Sequence, residues 1–225
     1  MRFFILAAAA FFIFAAPRRA PSKTMSQETI QPPPRRAVVL VHGMWDKAAK
    51  MDQMAGYLRK QGFTVFTPTL RPSWGQVGLD ELAKQLSAYI DANIHPGEKF
   101  DLVGFSMGAL VCRYYLQRMD GLRRVDHFIT LGGPHHGSLW ACLLGSPGYR
   151  QMRPGSDFIN DLNGDIAVLE KTKFTSIWTP FDLIIVPSTS SRTSVGRNIM
   201  VWVPIHPLLV WSPTVIKRVA DLLKS

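Results

Sequence analysis

The segment Ala37-Val38-Val39-Leu40-Val41 is apolar at every position, the pattern of a strand covered on both faces in a parallel sheet. Asp46 to Gln61 then places Met51, Met54, Ala55 and Leu58 on one side, which predicts a helix stopped by Gly62. Phe63 to Pro68 reads as the next strand. Leu79, Leu82, Leu86, Tyr89 and Ile90 recur at three- and four-residue spacing and predict a second amphipathic helix. A short apolar run, Phe100 to Val103, precedes a helix-like stretch from Ala109 to Met119, and Val125 to Leu131 is a further strand. Ser138 to Lys173 carries no strong strand pattern, whereas Phe174 to Trp178 and Asn198 to Val203 resume the sheet. A last helix is signalled by Ser212 as N-cap, Pro213 at its first position, and a stripe of Val215, Ile216, Val219, Leu222 and Leu223. This alternation predicts an α/β fold: a doubly wound, mainly parallel sheet with helices on both faces and a short cap insertion at 138–173.

The N-terminal region has a different composition. Residues 1–24 hold Arg2 followed by fourteen apolar residues, Phe3 to Ala16, like the charged start and hydrophobic centre of a secretory signal. Fourteen apolar residues are too few to span a bilayer comfortably. Pro17-Arg18-Arg19 makes a poor cleavage site, so a retained membrane tether stands beside export. Translation starting at Met25 would instead leave a cytoplasmic chain. Residues 25–36, ending Pro32-Pro33-Pro34-Arg35-Arg36, read as a proline-rich linker, and 37–225 as one folded domain.

Composition narrows the function classes. Hydrophobic content of 47% and charged content of 19% describe a globular chain. Arg2, Arg18, Arg19 and Lys23 account for four of the formal charge of +10, leaving +6 for the remainder. That surplus favours loose attraction to anionic lipid or polymer. Zinc-ligand spacing, an aromatic RNA-binding signature and a basic helix are all missing from the sequence, which argues against nucleic-acid binding. Cys112 and Cys142 both sit among apolar residues and are expected to be buried small hydrophobes, with a bridge as the alternative in an exported protein.

The most informative chemistry is Gly104-Phe105-Ser106-Met107-Gly108, placed between a strand and a helix. A serine between two glycines at such a turn is held in a strained backbone that lifts its hydroxyl toward an incoming carbonyl. Serine is a weak nucleophile, so it needs a base to take its proton and a carboxylate to orient that base. In sheets of this type these partners lie beyond the serine, in the order acid then histidine. Of the later histidines, His127 lies inside a strand, His135 and His136 sit in a glycine-bounded turn, and His206 follows the last strand, where the base belongs. Asp182 follows the strand ending at Trp178, although an aspartate there also serves as a turn cap. Asp157, Asp161 and Asp165 read as solvated helix charges, and Asp126 sits at the wrong end of its strand. The oxyanion of an acyl-transfer intermediate needs two backbone N–H donors. Met107 and Met44 are the candidates, Gly43 letting the Val41-His42-Gly43-Met44-Trp45 loop bend close while His42 plays a structural part.

Over residues 37–223 the chain resembles the small bacterial lipases and esterases of the α/β-hydrolase fold. The resemblance rests on Val41-His42-Gly43, the serine pentapeptide, Thr130-Leu131-Gly132-Gly133-Pro134-His135-His136-Gly137-Ser138, Arg153-Pro154-Gly155-Ser156, Asp182 to Pro187, and His206. It implies Ser106 as nucleophile, Asp182 as acid, His206 as base, and Met44 and Met107 as oxyanion donors. Three departures weaken any transfer of triglyceride specificity: Phe105 where many lipases have histidine, Ala109 where a further glycine is common, and Pro204-Ile205 before His206.

The expectation is therefore a serine carboxylic ester hydrolase for apolar acyl groups, monomeric and without metal or organic cofactor. Leu139 to Leu144 and Pro207 to Trp211 are the segments placed to hold an acyl chain, though core packing explains them equally well. The rival readings are an acyltransferase, thioesterase or lipid-anchor deacylase using the same three residues, and a non-catalytic binding protein of the same fold. An exported or envelope-associated protein, peripheral to a membrane or tethered through its N-terminus, fits the leader.

Overall fold

The computed structural model describes residues 36–225, so the expected leader and nearly all of the linker lie outside the described residues. Six strands form one sheet, β1 (Ala37–Val41), β2 (Thr64–Phe66), β3 (Phe100–Phe105), β4 (Val125–Leu131), β5 (Lys173–Trp178) and β6 (Arg197–Met200). They lie in the order β2-β1-β3-β4-β5-β6, and every neighbouring pair is parallel. The helices are α1 (Asp52–Lys60), α2 (Leu79–Asn93), α3 (Met107–Arg118), α4 (Pro147–Gln151), α5 (Asp157–Gly164), α6 (Leu208–Trp211) and α7 (Pro213–Leu223).

The uninterrupted apolar run of β1 has a direct cause. Alternate side chains point to opposite faces of a strand, and here both faces are covered. Val39 and Val41 enter the core beneath α2 and α3, while Val38 and Leu40 enter a second core with residues of α1 and α7. These are the helices on both faces expected from the alternation.

Several boundaries differ from the sequence reading. The first turn of the expected Asp46–Gln61 helix is a separate 3-10 segment, Ala48–Met51, before α1 begins. The edge strand β2 has only three residues. At the other edge, β6 ends at Met200, and Val201 N–H still reaches Trp178 carbonyl at 2.9 Å. The chain then leaves the sheet, and Val203 carbonyl accepts from Thr179 Oγ1 at 2.7 Å instead of continuing a ladder. Ser212 does precede α7 with Pro213 at its first position, but its side chain makes no capping bond. Its carbonyl accepts from Ile216 N–H at 2.9 Å.

The 138–173 insertion is helical among the described residues, built from two 3-10 segments (Leu139–Leu143 and Ile166–Lys171) flanking α4 and α5. Two of its aspartates are not merely solvated. Arg118 of α3 pairs with Asp161 and Asp165, each at 2.8 Å, and its proximity holds the Asp165 carboxyl below the usual range. Buried Arg113, one turn earlier, donates to Leu162 carbonyl at 2.5 Å and to Asn163 Oδ1 at 2.9 Å. The insertion is thereby fastened to the helix that follows the candidate nucleophile. The cysteine expectation holds for one residue only: Cys112 is buried, whereas Cys142 is exposed, and both are free thiols. Cys142 lies in a 3-10 segment at the protein surface, where apolar neighbours in sequence do not guarantee burial.

Candidate active site

Ser106 sits between β3 and α3 with φ 53° and ψ −124°, a conformation that non-glycine residues rarely hold. The flanking glycines are required by close approach. A Cβ on Gly104 would lie 2.7 Å from Ala109 Cα, and one on Gly108 would lie 2.8 Å from Val41 carbonyl. The turn is thus wedged between its own helix and the β1 strand.

The loop after β1 is held against this turn. A Cβ on Gly43 would fall 3.1 Å from Ser106 Cβ. His42 is structural, as expected: its Nε2 accepts from Leu70 N–H at 3.0 Å and its Nδ1 lies 2.8 Å from Gly43 carbonyl. Burial lowers its pKa, which suits a neutral ring fixed in one tautomer. Among the described residues the N–H groups of Met44 and Met107 donate to no protein acceptor, and both residues line the cavity that contains Ser106. Two unspent donors beside a serine hydroxyl are what an oxyanion requires.

The loop after β5 carries Asp182 and the segment after β6 carries His206. Asp182 Oδ2 lies 2.6 Å from His206 Nδ1. Its other oxygen, Oδ1, accepts from Ile184 N–H and Ile185 N–H, each at 2.9 Å. Gly132, at φ +57°, leaves room for the ring, since a Cβ there would lie 2.8 Å from His206 Cε1. Phe105 packs against the imidazole with centroids 4.8 Å apart and the rings tilted by 30°. His206 Nε2 is buried with no hydrogen-bond partner among the described residues. No hydrogen bond joins it to Ser106 Oγ.

The remaining candidates lie elsewhere. His135 is buried against Thr130 Oγ1 at 3.0 Å, and burial lowers its pKa well below the ordinary value. His136 is exposed beside Asn163, and His127 bonds Asp101 Oδ1 at 2.8 Å. None of the three lines the cavity.

Ser106, Met107, Met44 and His206 border one cavity of about 650 Å³. Trp140, Leu143, Leu144 and Met152 from the insertion, together with Leu183 and Ile184, supply apolar wall. Three polar lining residues escaped the sequence reading. Lys50 and Asp46 pair at 3.5 Å, and Lys50 Nζ stands 4.1 Å from the Trp211 ring and 5.8 Å from that of Phe105. Tyr149 places a buried hydroxyl without a partner in the wall. Lys50 lies within the expected helix, where a lysine reads as solvent-facing, and Tyr149 lies in a segment with no periodic pattern. No group of three or more His, Cys, Asp or Glu side chains is gathered as a metal site among the described residues.

A parallel sheet in this order, with a serine elbow after β3 and the carboxylate and imidazole on loops after β5 and β6, defines an α/β-hydrolase fold. Known proteins agree. Residues 37–139 match the palmitoyl protein thioesterase family. The human lysosomal thioesterase PPT2 is 33% identical over 120 residues, covering 47% of this chain and 37% of that protein. The bovine lysosomal thioesterase PPT2 is 32% identical over the same span. The chain thus spans little more than a third of the length of these curated relatives, and the family match stops before Asp182 and His206. Among solved structures, Aspergillus fumigatus lipase B superposes with a TM-score of 0.74 at 18% identity, over 85% of this chain and 53% of that one. Mature Bacillus licheniformis lipase BlEst2 gives 0.69 at 19%, over 85% and 93%. Likeness at that level of identity establishes the fold.

Proposed function

We propose that the chain is a serine hydrolase that removes apolar acyl groups from esters. One observation carries the reading: a histidine fixed at Nδ1 by a buried carboxylate, with Nε2 free, shares an apolar cavity with a strained elbow serine. In the proposed reaction Ser106 Oγ attacks the carbonyl carbon while His206 Nε2 takes its proton. Asp182 stabilises the imidazolium that results. Negative charge on the carbonyl oxygen is met by the Met44 and Met107 N–H groups. His206 then protonates the leaving group, and water, deprotonated by the same nitrogen, releases the acid.

A thioester leaving group is the second reading. It is favoured by the sequence match to palmitoyl protein thioesterases, which spans β1 to β4 and includes Met44 and Ser106. Acyl groups would be shared between the two readings and only the departing atom would differ, because the acyl-enzyme is the same. Turnover of matched oxygen and sulfur esters across short to long acyl chains separates them. A fluorophosphonate probe should label wild type and not Ser106→Ala. Absence of wild-type labelling would instead favour a non-catalytic binding protein, and faster product formation with added alcohols would favour an acyltransferase. The leader-like residues 1–24 support an exported or envelope-associated enzyme.

A further inference from the structure

The loops at the C-terminal ends of the strands carry large apolar side chains that the proposed chemistry does not use. Trp45 is 69% exposed, Leu143 69%, Leu183 74% and Trp202 73%. Contacts tie the parts of this surface together. Trp140 Nε1 donates to Leu183 carbonyl at 2.7 Å, which joins the insertion to the loop after β5. Phe181 of that loop packs against Trp202 with centroids 5.6 Å apart, and neither ring lines the cavity. A soluble monomer rarely leaves so much contiguous apolar surface bare without a partner. The cavity's own lining includes Trp45, Leu143 and Leu183, so its mouth opens inside this patch.

Charge identifies the occupant. The same loops (42–51, 67–78, 132–156, 179–196 and 201–212) hold Lys47, Lys50, Arg71, Arg150, Arg153 and Arg192 against Asp46 and Asp182. Asp46 pairs with Lys50 and Asp182 with His206, so five bases remain without an acidic partner among the described residues. Two copies of such a face repel. An anionic bilayer offers the basic rim a negative surface, the tryptophans an interfacial layer, and the cavity a supply of acyl chains. We infer that this face docks on anionic lipid membranes, with Trp45, Trp140, Phe181 and Trp202 seated among the headgroups and the cavity mouth turned toward the leaflet. The inference extends the hydrolase reading by placing the acyl substrate in a membrane, and docking itself needs no catalysis.

The full chain is incubated with phosphatidylglycerol-containing vesicles and with neutral phosphatidylcholine vesicles, and hydrogen exchange is followed by mass spectrometry. Anionic vesicles should protect peptides covering 42–51, 139–144, 181–184 and 201–205, and salt should remove the protection. Trp202→Ser should weaken vesicle partitioning about tenfold, and Lys47→Glu with Arg150→Glu roughly 10²-fold. Both variants should hydrolyse a short water-soluble ester at the wild-type rate, which also shows that they fold. Vesicle binding without protection of these loops would assign attachment to residues 1–35 and overturn the inference. Protection that rises with protein concentration in the absence of lipid would assign the face to a second copy. Loss of soluble-ester turnover in wild type would sink the hydrolase reading while leaving docking measurable.

Discussion

Asp182→Asn isolates the orienting carboxylate, because the surrounding hydrogen bonds dictate which way the new amide must face. Oδ1 already accepts from Ile184 N–H and Ile185 N–H at 2.9 Å each, and an amide NH2 in that place would set donor against two donors. The amide oxygen therefore keeps those bonds, and the NH2 faces His206 Nδ1, 2.6 Å away in the wild type. Nδ1 can then serve only as an acceptor, so the neutral ring carries its proton on Nε2, the atom that takes the serine proton in the proposed reaction. The enzyme is left with the wrong tautomer in the right place. A loss of about 10⁴ in kcat follows, equivalent to about 5.5 kcal/mol of barrier. Stability should hardly change, since both backbone bonds survive. Asp182→Ala deletes the acceptor of two N–H groups as well and should cost about 2 kcal/mol of stability in addition to activity. The assay is kcat on a soluble p-nitrophenyl ester, with thermal melting of each variant alongside. An Asn variant within tenfold of wild type would refute the tautomer argument, and so would a loss of activity that merely tracks a falling melting temperature.

Ser106→Gly should separate strain from chemistry: turnover falls about 10⁶-fold, while relief of the φ 53° conformation raises the melting temperature by about 2–4 °C in calorimetry. Gly133→Ala would bring a Cβ within 2.6 Å of Ala109 Cβ, and should destabilise by about 1–3 kcal/mol. Pairing it with Ala109→Gly should recover most of that loss in a urea double-mutant cycle, and additive losses would contradict the contact. Buried His135 should make the fold acid-sensitive. Below its ordinary value of 6.5 the unfolded chain binds a proton that the folded chain refuses until well below that value, so stability falls as pH falls through this window. Urea midpoints at about pH 7.5 and about pH 5.5 should differ less in His135→Gln than in wild type, by up to ~1.4 kcal/mol per pH unit below that value.

Legibility of the sequence followed burial. β4 was bounded to the residue, and β1 likewise, because central parallel strands must be apolar on both faces and leave no ambiguity of period. The edges were less readable. β6 has exposed or half-buried side chains throughout, and the strand read at Asn198 to Val203 overlaps it only from Asn198 to Met200, because the apolar Trp202 and Val203 that extended the reading lie beyond the ladder. That Asp182 would meet His206 and that His206 would share a cavity with Ser106 could be read from chain order, because elements of a doubly wound sheet place their following loops at one end. What that order could not give is the polar corner of the cavity. Lys50 meets Phe105 and Trp211 across long separations in sequence, and Tyr149 packs its ring against Gly75 with its hydroxyl buried and unpartnered, a placement no local pattern announces. The burial of Arg113 was equally hidden, since a helix arginine reads as solvated until the insertion folds over it.

The three departures from the small-lipase pattern have physical explanations in the packing. Phe105 replaces a polar ring with an apolar one tilted 30° to His206, so the imidazole is packed on one side by that ring and bonded to Asp182 at its edge. Ala109 fills space that a glycine would leave open in α3, and the missing space reappears across the contact, where Gly133 has no Cβ to collide with it. Pro204-Ile205 stiffens the approach to His206, and the turn continues into α6 through Leu208 N–H on Ile205 carbonyl and Leu209 N–H on His206 carbonyl, both at 3.1 Å. In each case a lost feature of the motif is compensated by a neighbour that holds the histidine or the elbow in place. The motif residues themselves are therefore a poor guide to what the cavity accepts, since its wall is built by the insertion from Trp140 to Met152 and its polar corner by Lys50 and Asp46.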